Sequence, residues 1–69
     1  MKFGARNQLK GKVVAIKKGA VMCEVSVAIA GGATMESVMT MNSLKELGIK
    51  KGDMVKLVVK AVNVLLVKE

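Results

Sequence analysis

The stretch from Ala20 to Ala30 alternates strictly between two kinds of residue, and this pattern constrains the fold more than any other part of the chain. One of its two faces is uniformly apolar and consists of Val21, Cys23, Val25, Val27 and Ile29. Successive side chains of a strand point to opposite faces of a sheet, so a period of two predicts a β-strand with one buried face. The chain is therefore expected to build its core on a sheet.

Other segments have the β-branched and apolar content of strands and are separated by turns rich in glycine or lysine. The expected strands are Leu9–Ile16, Ala20–Ala30, Thr34–Met41, Met54–Val59 and Val62–Val67. Ser43 and Glu46 have the spacing of a capping box, and Gly48 follows as a helix stop. The sequence thus predicts an all-β fold, a small five-stranded OB-like β-barrel with one short helix.

The chain has more apolar residues than a domain of its size can bury. It has 69 residues, of which 52% are hydrophobic, whereas a domain this short rarely gains more than about 3–5 kcal/mol from its own core. With one cysteine, Cys23, and no histidine, it has neither an internal disulfide nor a zinc site. We therefore expect a single domain over residues 1–69 that forms an obligate homo-oligomer, with the apolar Val64–Val67 segment buried against another subunit.

The sequence also bears on location and chemistry. Lysines interrupt every apolar run well before the roughly 18 residues that a membrane-spanning helix needs, and the N-terminus has no apolar signal core. Together with the lone thiol, this predicts a cytoplasmic protein. Without histidine or a nucleophile–base pair, the chain is not expected to be an enzyme or to hold a cofactor.

Hydrogen-bond donors gather just before the first expected strand, where Gly4-Ala5-Arg6-Asn7-Gln8 includes the only arginine. Arg6 offers five N–H groups and no acceptor, and small Gly4 and Ala5 let backbone N–H groups approach a ligand closely. Such a set suits a compact oxyanion. An ordinary surface arm with one arginine is equally compatible with this short run on its own.

Several motifs, taken together and in order, carry a family resemblance. They are Ala5-Arg6-Asn7-Gln8-Leu9-Lys10-Gly11-Lys12-Val13-Val14, Lys17-Lys18-Gly19-Ala20-Val21, Lys45-Glu46-Leu47-Gly48, Gly52-Asp53 and Lys60-Ala61. The chain resembles the molbindins, small cytoplasmic molybdate-binding proteins built from one TOBE-type module. The resemblance covers essentially the whole chain.

The resemblance implies a hexamer, a trimer of dimers, that binds molybdate or tungstate at subunit interfaces for storage or buffering. The implied oxyanion-binding residues are Gly4, Ala5, Arg6, Lys60 and Ala61 of one subunit, with Thr40 and Ser43 of a neighbour. Molybdate is a tetrahedral dianion with acceptors only, so convergent N–H and O–H donors and one or two cations suit it. No bare metal ion, membrane or nucleic acid is implied.

Two departures from the family pattern bear on affinity. Many relatives have serine where this chain has Gly4, and relatives often have serine or threonine where it has Val62. Losing two hydroxyl donors at roughly 0.5–1.5 kcal/mol each weakens binding by about tenfold or more, unless a backbone N–H or a water replaces them.

Alternatives to this interpretation stay open at this point. Ser43 also suits a helix cap, Thr40 an ordinary strand end, and Lys60 a lysine whose stem covers apolar surface. The net charge of +7 favours a basic OB-like nucleic-acid-binding module, although Phe3 is the only aromatic residue available for base stacking. Six methionines admit a soft-metal site but suit adaptable packing better.

Overall fold

A four-stranded antiparallel sheet and one short helix form the protein, as seen in a computed structural model that describes residues 7–69. The elements are β1 (Asn7–Lys18), β2 (Met22–Ile29), β3 (Thr34–Thr40), α1 (Met41–Leu47), β4 (Met54–Val59) and a 3-10 turn (Ala61–Asn63). The strands lie in the order β3-β2-β1-β4. The sheet curls into a half-barrel of OB-like type, so the expected all-β class is confirmed.

The first strand joins the two halves of the sheet. Its residues 7–12 pair with β4, and its residues 11–18 pair with β2. The register with β2 shifts between Val13 and Ala15, which is a β-bulge. At that bulge the backbone of Val13 pairs with the turn before β4. The Val13 N–H donates to the Asp53 carbonyl at 2.9 Å, and the Gly52 N–H donates to the Val13 carbonyl at 2.8 Å. A bulge increases the local bend of a strand, and this one contributes to the curl.

The core is fully buried only at the central strands β1 and β2. Its buried residues are Val13, Cys23, Val25, Val27 and Leu44, each at most 4% exposed. Four of them come from β1 and β2, and Leu44 of α1 covers them. The inward residues of β3 and β4 remain half-buried. The predicted alternation in the second strand is confirmed for Cys23, Val25 and Val27, which point into this core. Val21, predicted on the same face, instead precedes the strand and is 69% exposed.

Residues 7–69 contain four strands, whereas five were predicted in this range. Residues 62–67 form no strand, and after the 3-10 turn they run on without regular structure. Val62 and Leu66 are each 88% exposed and Leu65 is 86% exposed. The apolar pattern therefore identified a segment with strand-forming residues, but a strand also needs a neighbour to pair with, and this segment pairs with no strand within residues 7–69.

Gly11 is expected to be intolerant of any side chain. It lies where β1 has partners on both sides, and a Cβ there would stand 2.4 Å from Val27 Cγ1 and 2.9 Å from the Ala28 carbonyl oxygen. Overpacking of this kind costs about 1–3 kcal/mol. We expect Gly11→Ala to lower the unfolding free energy by that amount in urea denaturation, whereas Lys12→Ala, at an exposed position of the same strand, changes it by at most about 0.5 kcal/mol.

Candidate functional site

Lys60 and Ala61 lie at the end of β4, beside the start of β1. Val59 pairs directly with Asn7 in the antiparallel ladder. Lys60 and Ala61 come immediately after Val59 in the chain, and Asn7 comes immediately after Arg6. Both are exposed. Gly4, Ala5 and Arg6 lie outside the described residues. The topology thus places Lys60 and Ala61 at the same end of the sheet as Asn7 and Gln8, the last two residues of the donor-rich segment, and we call this region the β4 half-site.

Thr40 and Ser43 lie where β3 passes directly into α1, and they bind each other. The Ser43 N–H donates to Thr40 Oγ1 at 3.1 Å, and the Thr40 hydroxyl donates to Ser43 Oγ at 2.9 Å. Thr40 is exposed and Ser43 half-buried. We call this pair the α1 half-site.

The predicted capping box is wrong, because the helix is capped by Thr40 and not by Ser43. The helix begins at Met41, three residues earlier than that pattern requires. The Met41 N–H donates to the Val21 carbonyl at 2.8 Å, which fixes the strand-to-helix junction without an intervening loop. Gly48 does end the helix, in the left-handed conformation with φ 67°.

This arrangement leaves one hydroxyl proton for a ligand. Thr40 Oγ1 accepts from the Ser43 N–H, and its own proton goes to Ser43 Oγ. A hydroxyl has one proton and two acceptor lone pairs, so the Ser43 proton remains available to donate outward. Donors in such a chain polarise one another, which strengthens the last donor. The first turn of α1 carries no acidic residue, and an anion at this position meets no carboxylate from that turn.

The two half-sites lie beside opposite ends of β1. Asn7, at one end of β1, pairs with Val59, whereas Lys18, at the other end, pairs with Cys23. Thr40 pairs with Met22, next to that second end. The 12 residues of β1 therefore lie between the two half-sites, up to roughly 36 Å along the strand. The register thus gives no indication that the two sets of residues surround one small oxyanion within a single chain.

Sequence reasoning did not single out Asn42 and Asn63, one in each half-site. Asn42 lies in the first turn of α1 and Asn63 in the 3-10 turn that follows Lys60, and both are exposed. Their amides add donors to the same regions. A single asparagine gives no sequence signal for a binding role, and Asn63 was predicted to lie within the strand Val62–Val67, so only the placement of the turns indicates these two residues.

Two searches for other kinds of site gave negative results within residues 7–69. That part of the chain has no group of three or more histidine, cysteine, aspartate or glutamate side chains placed to hold a metal ion. Over the same range, none of the helical structure has both the length and the hydropathy to cross a bilayer.

Replacing Thr40 is expected to destabilise the fold through its helix. Thr40→Val keeps the shape of the side chain but removes the oxygen that caps the Ser43 N–H. Loss of an N-cap costs about 0.5–2 kcal/mol. Thermal unfolding without ligand should show this loss for Thr40→Val and little change for Thr40→Ser, which retains the hydroxyl. Equal stability of the two variants would mean that Thr40 does not act as the cap.

Comparison with known proteins gives a consistent set of matches. Residues 4–66 match the TOBE domain family. The chain is 47% identical over 66 residues to molybdenum-pterin-binding protein 3 of Clostridium pasteurianum, covering 96% of this chain and 97% of that one. Its fold matches the solved structure of a molybdate binding protein from Sporomusa ovata with a TM-score of 0.91 and 32% identity, over 99% and 100% of the two chains.

A third match is the structure of ModG with molybdate bound, described as a cytoplasmic molybdate-binding protein. The TM-score is 0.82 and the identity 44%, over 88% of this chain. This chain spans only 43% of the length of ModG.

Proposed function

Because the chain belongs to the TOBE domain family, and within it to the single-domain molbindins, we propose that it binds molybdate between subunits of a homo-oligomer, for storage or buffering. The observation that carries the proposal is the separation of the two half-sites. Each half-site offers hydrogen-bond donors suited to an oxyanion, but neither half-site by itself has enough donors to surround the oxyanion. The relatives named for molybdenum or molybdate are binding proteins, which supports binding without catalysis.

In the proposed site, the β4 half-site supplies charge and the α1 half-site supplies a hydroxyl. Lys60 and Arg6 balance the two negative charges of the oxyanion, and backbone N–H groups near Gly4, Ala5 and Ala61 donate at close range. Ser43 of a neighbouring chain donates its remaining hydroxyl proton, and Thr40 holds that hydroxyl in place. Tungstate has the same shape and charge and is proposed as a second ligand.

Three further features belong to the proposal. The assembly is a hexamer arranged as a trimer of dimers, residues 1–69 form one domain, and the protein acts in the cytoplasm. The cytoplasmic location is supported by the description of ModG, and the oligomer by the exposed apolar segment at residues 62–67.

Nucleic acid is a weaker candidate for the ligand. The positive charge of the chain would attract any polyanion. Single-strand binders, however, stack bases on aromatic side chains, and residues 7–69 contain none. The similarity to proteins named for molybdenum or molybdate also favours the oxyanion.

Isothermal titration tests the ligand directly. We expect saturable binding of molybdate, competition by tungstate, and no competition by single-stranded RNA at equal phosphate concentration. Sulfate serves as a control for a tetrahedral dianion of smaller size. If molybdate gave no heat and no thermal stabilisation, while RNA bound with strong salt dependence, the nucleic-acid function would replace this one.

A mixing experiment tests whether the site is shared between chains. Lys60→Ala damages one half-site and Ser43→Ala the other, and each variant alone is expected to bind weakly. After the two are unfolded and refolded together in equal amounts, about a quarter of the sites should combine two intact half-sites, because each half comes from a different and independently chosen subunit. A site within one chain would recover no tight binding on mixing.

A further inference from the structure

Three lysines lie close together on the outer side of the sheet, where β1 pairs with β4. Lys10 and Lys56 are direct partners in that ladder, and Lys12 follows two residues along β1. All three are exposed, whereas Gly11 and Val13 between and beside them are buried on the core side. We call Lys10, Lys12 and Lys56 the lysine face.

The arrangement of these lysines opposes the stability of the ladder. Side chains directly opposite each other in an antiparallel pair have Cβ atoms about 4.5–5.5 Å apart, and like charges at such positions are destabilising. Lys12 adds a third positive charge about 7 Å from Lys10 along the strand. Water and salt reduce this repulsion without removing it.

No carboxylate offsets the lysine face from the adjoining ladder positions within residues 7–69. The residues at these positions, on the same side of the sheet, are Gln8, Ala28, Met54 and Val58. Asp53 precedes Met54 in the turn before β4, but its Oδ2 accepts a hydrogen bond from the Lys50 N–H at 2.8 Å. The turn therefore uses this carboxylate for its own backbone.

The other half of the same outer side has its charges paired. Lys17 of β1 lies opposite Glu24 of β2, and the Ser26 hydroxyl donates to the Glu36 carboxylate of β3. Opposite charges directly across a ladder stabilise it. The chain thus pairs charges on one half of this surface and leaves three lysines together on the other. A local rule broken at one place only is typical of a functional surface.

Apolar side chains and a shallow depression accompany the lysines. The depression has a volume of about 410 Å³ and is lined by Lys10, Met54, Val55 and Lys56. Met54 is 69% exposed and Val58 is 41% exposed, so the outward residues of β4 are apolar, basic and apolar in turn. A complementary surface carries negative charge together with apolar contact groups.

We propose that the lysine face docks an acidic segment of another protein. The carboxylates of the segment lie against the three lysines, and its apolar side chains lie against Met54 and Val58. A second copy of this chain does not suit the surface, because its net charge of +7 is repelled by the lysines. Nucleic acid does not suit it either, since bases stack on aromatic side chains and residues 7–69 contain none.

The lysine face is separate from the β4 half-site. The Lys10–Lys56 pair lies three residues along the ladder from the Asn7–Val59 pair, which corresponds to about 10 Å. A docked segment therefore leaves the half-site open beside it. The inference goes beyond the proposed function and does not require that the half-site binds molybdate.

An acidic peptide tests the docking surface. The probe is a fluorescein-labelled peptide of about twelve residues, with glutamate at alternate positions and valine or threonine between them. Its carboxylates share one side when it is extended. Fluorescence anisotropy measures its binding to the full chain at physiological ionic strength, where attraction between distant charges is largely screened.

Two triple variants of equal net charge separate the lysine face from the general positive charge. The first is Lys10→Gln, Lys12→Gln and Lys56→Gln, and the second replaces three exposed lysines elsewhere, Lys18→Gln, Lys50→Gln and Lys51→Gln. Exposed ion pairs are weak individually, but three together correspond to about tenfold in affinity. We expect the first variant to lose about tenfold in peptide affinity and the second less than about twofold. Equal losses, or no binding of the peptide to the unmodified protein, would overturn the inference.

Lys10→Glu tests whether the lysine pair is kept at the expense of stability. The variant places opposite charges across the ladder from Lys56, so it should unfold at a urea concentration at least as high as the unmodified protein. Its peptide affinity should nevertheless fall by about tenfold or more. A lower urea midpoint, or an unchanged peptide affinity, would contradict the inference.

Two further probes distinguish other polyanions. Single-stranded RNA and phosphatidylserine vesicles are compared with the peptide at equal concentration of negative charge. If either bound more tightly than the peptide and lost its binding in the first triple variant, the partner would be a nucleic acid or a lipid surface and the acidic segment would be rejected. Molybdate titration of the unmodified protein reports the proposed function independently. Absence of molybdate binding would reject that function alone, and absence of peptide binding would reject the docking surface alone.

Discussion

Replacing Lys60 by alanine is expected to weaken molybdate binding by about 10–100-fold while the oligomer stays intact. Lys60 is exposed at the end of β4, so its removal leaves the core unchanged. Hydrogen bonds to charged groups contribute about 1.5–3 kcal/mol, which corresponds to that range of affinity. Isothermal titration measures the affinity, and native mass spectrometry reports the subunit number and the ions bound.

Lys56→Ala is the matched control for this prediction. Lys56 is an exposed lysine on the same strand, opposite Lys10 in the ladder and away from the half-site. The two variants lose the same charge, so any general effect of net charge is equal in both. If Lys56→Ala weakened binding as much as Lys60→Ala, the lysines would act only by raising the overall positive potential.

Replacing Leu66 by aspartate is expected to dissociate the oligomer. Leu66 is 88% exposed in one chain, and in the proposed assembly the segment that contains it is covered by a second copy. Placing an unpaired carboxylate in an apolar contact costs several kcal/mol, and about 4 kcal/mol corresponds to a weakening of association by roughly a thousandfold. Light scattering coupled to size exclusion should show the loss of mass, and molybdate affinity should fall with it because the half-sites separate.

Ala30→Asp provides the comparison. It introduces the same charge at an exposed turn residue after β2, where we expect no change in mass. A Leu66→Asp protein that kept the full oligomeric mass would show that this segment takes no part in assembly.

Sequence patterns predicted the local structure well where the structure depends on near neighbours. The alternation identified β2 and its inward residues Cys23, Val25 and Val27, although Val21 lies before the strand and is exposed, and Gly48 marked the end of the helix. The helix start was wrong, because Ser43 and Glu46 fit a capping box while the Met41–Val21 hydrogen bond fixes the start at Thr40. That bond joins residues of two different elements, and no local spacing reveals it.

The candidate site, too, could be predicted from the sequence only in part. The resemblance to the molbindins implied Lys60, Thr40 and Ser43 as oxyanion-binding residues, and their side chains are of the types that donate to an oxyanion or balance its charge. Their separation could not, because it depends on which strands pair and in which register. The amides of Asn42 and Asn63 gave no pattern at all and become relevant only through the turns that hold them.

The sequence by itself determined that this chain forms strands, that it carries donors for an anion, and that it has more apolar residues than 69 residues can bury. These properties follow from side-chain chemistry and a period of two, which are local. Only the tertiary structure decided where the excess lies, in an incomplete sheet and an exposed segment at residues 62–67. The reason is physical: a strand gains stability only when its backbone groups find partners, and those partners are defined by the whole fold.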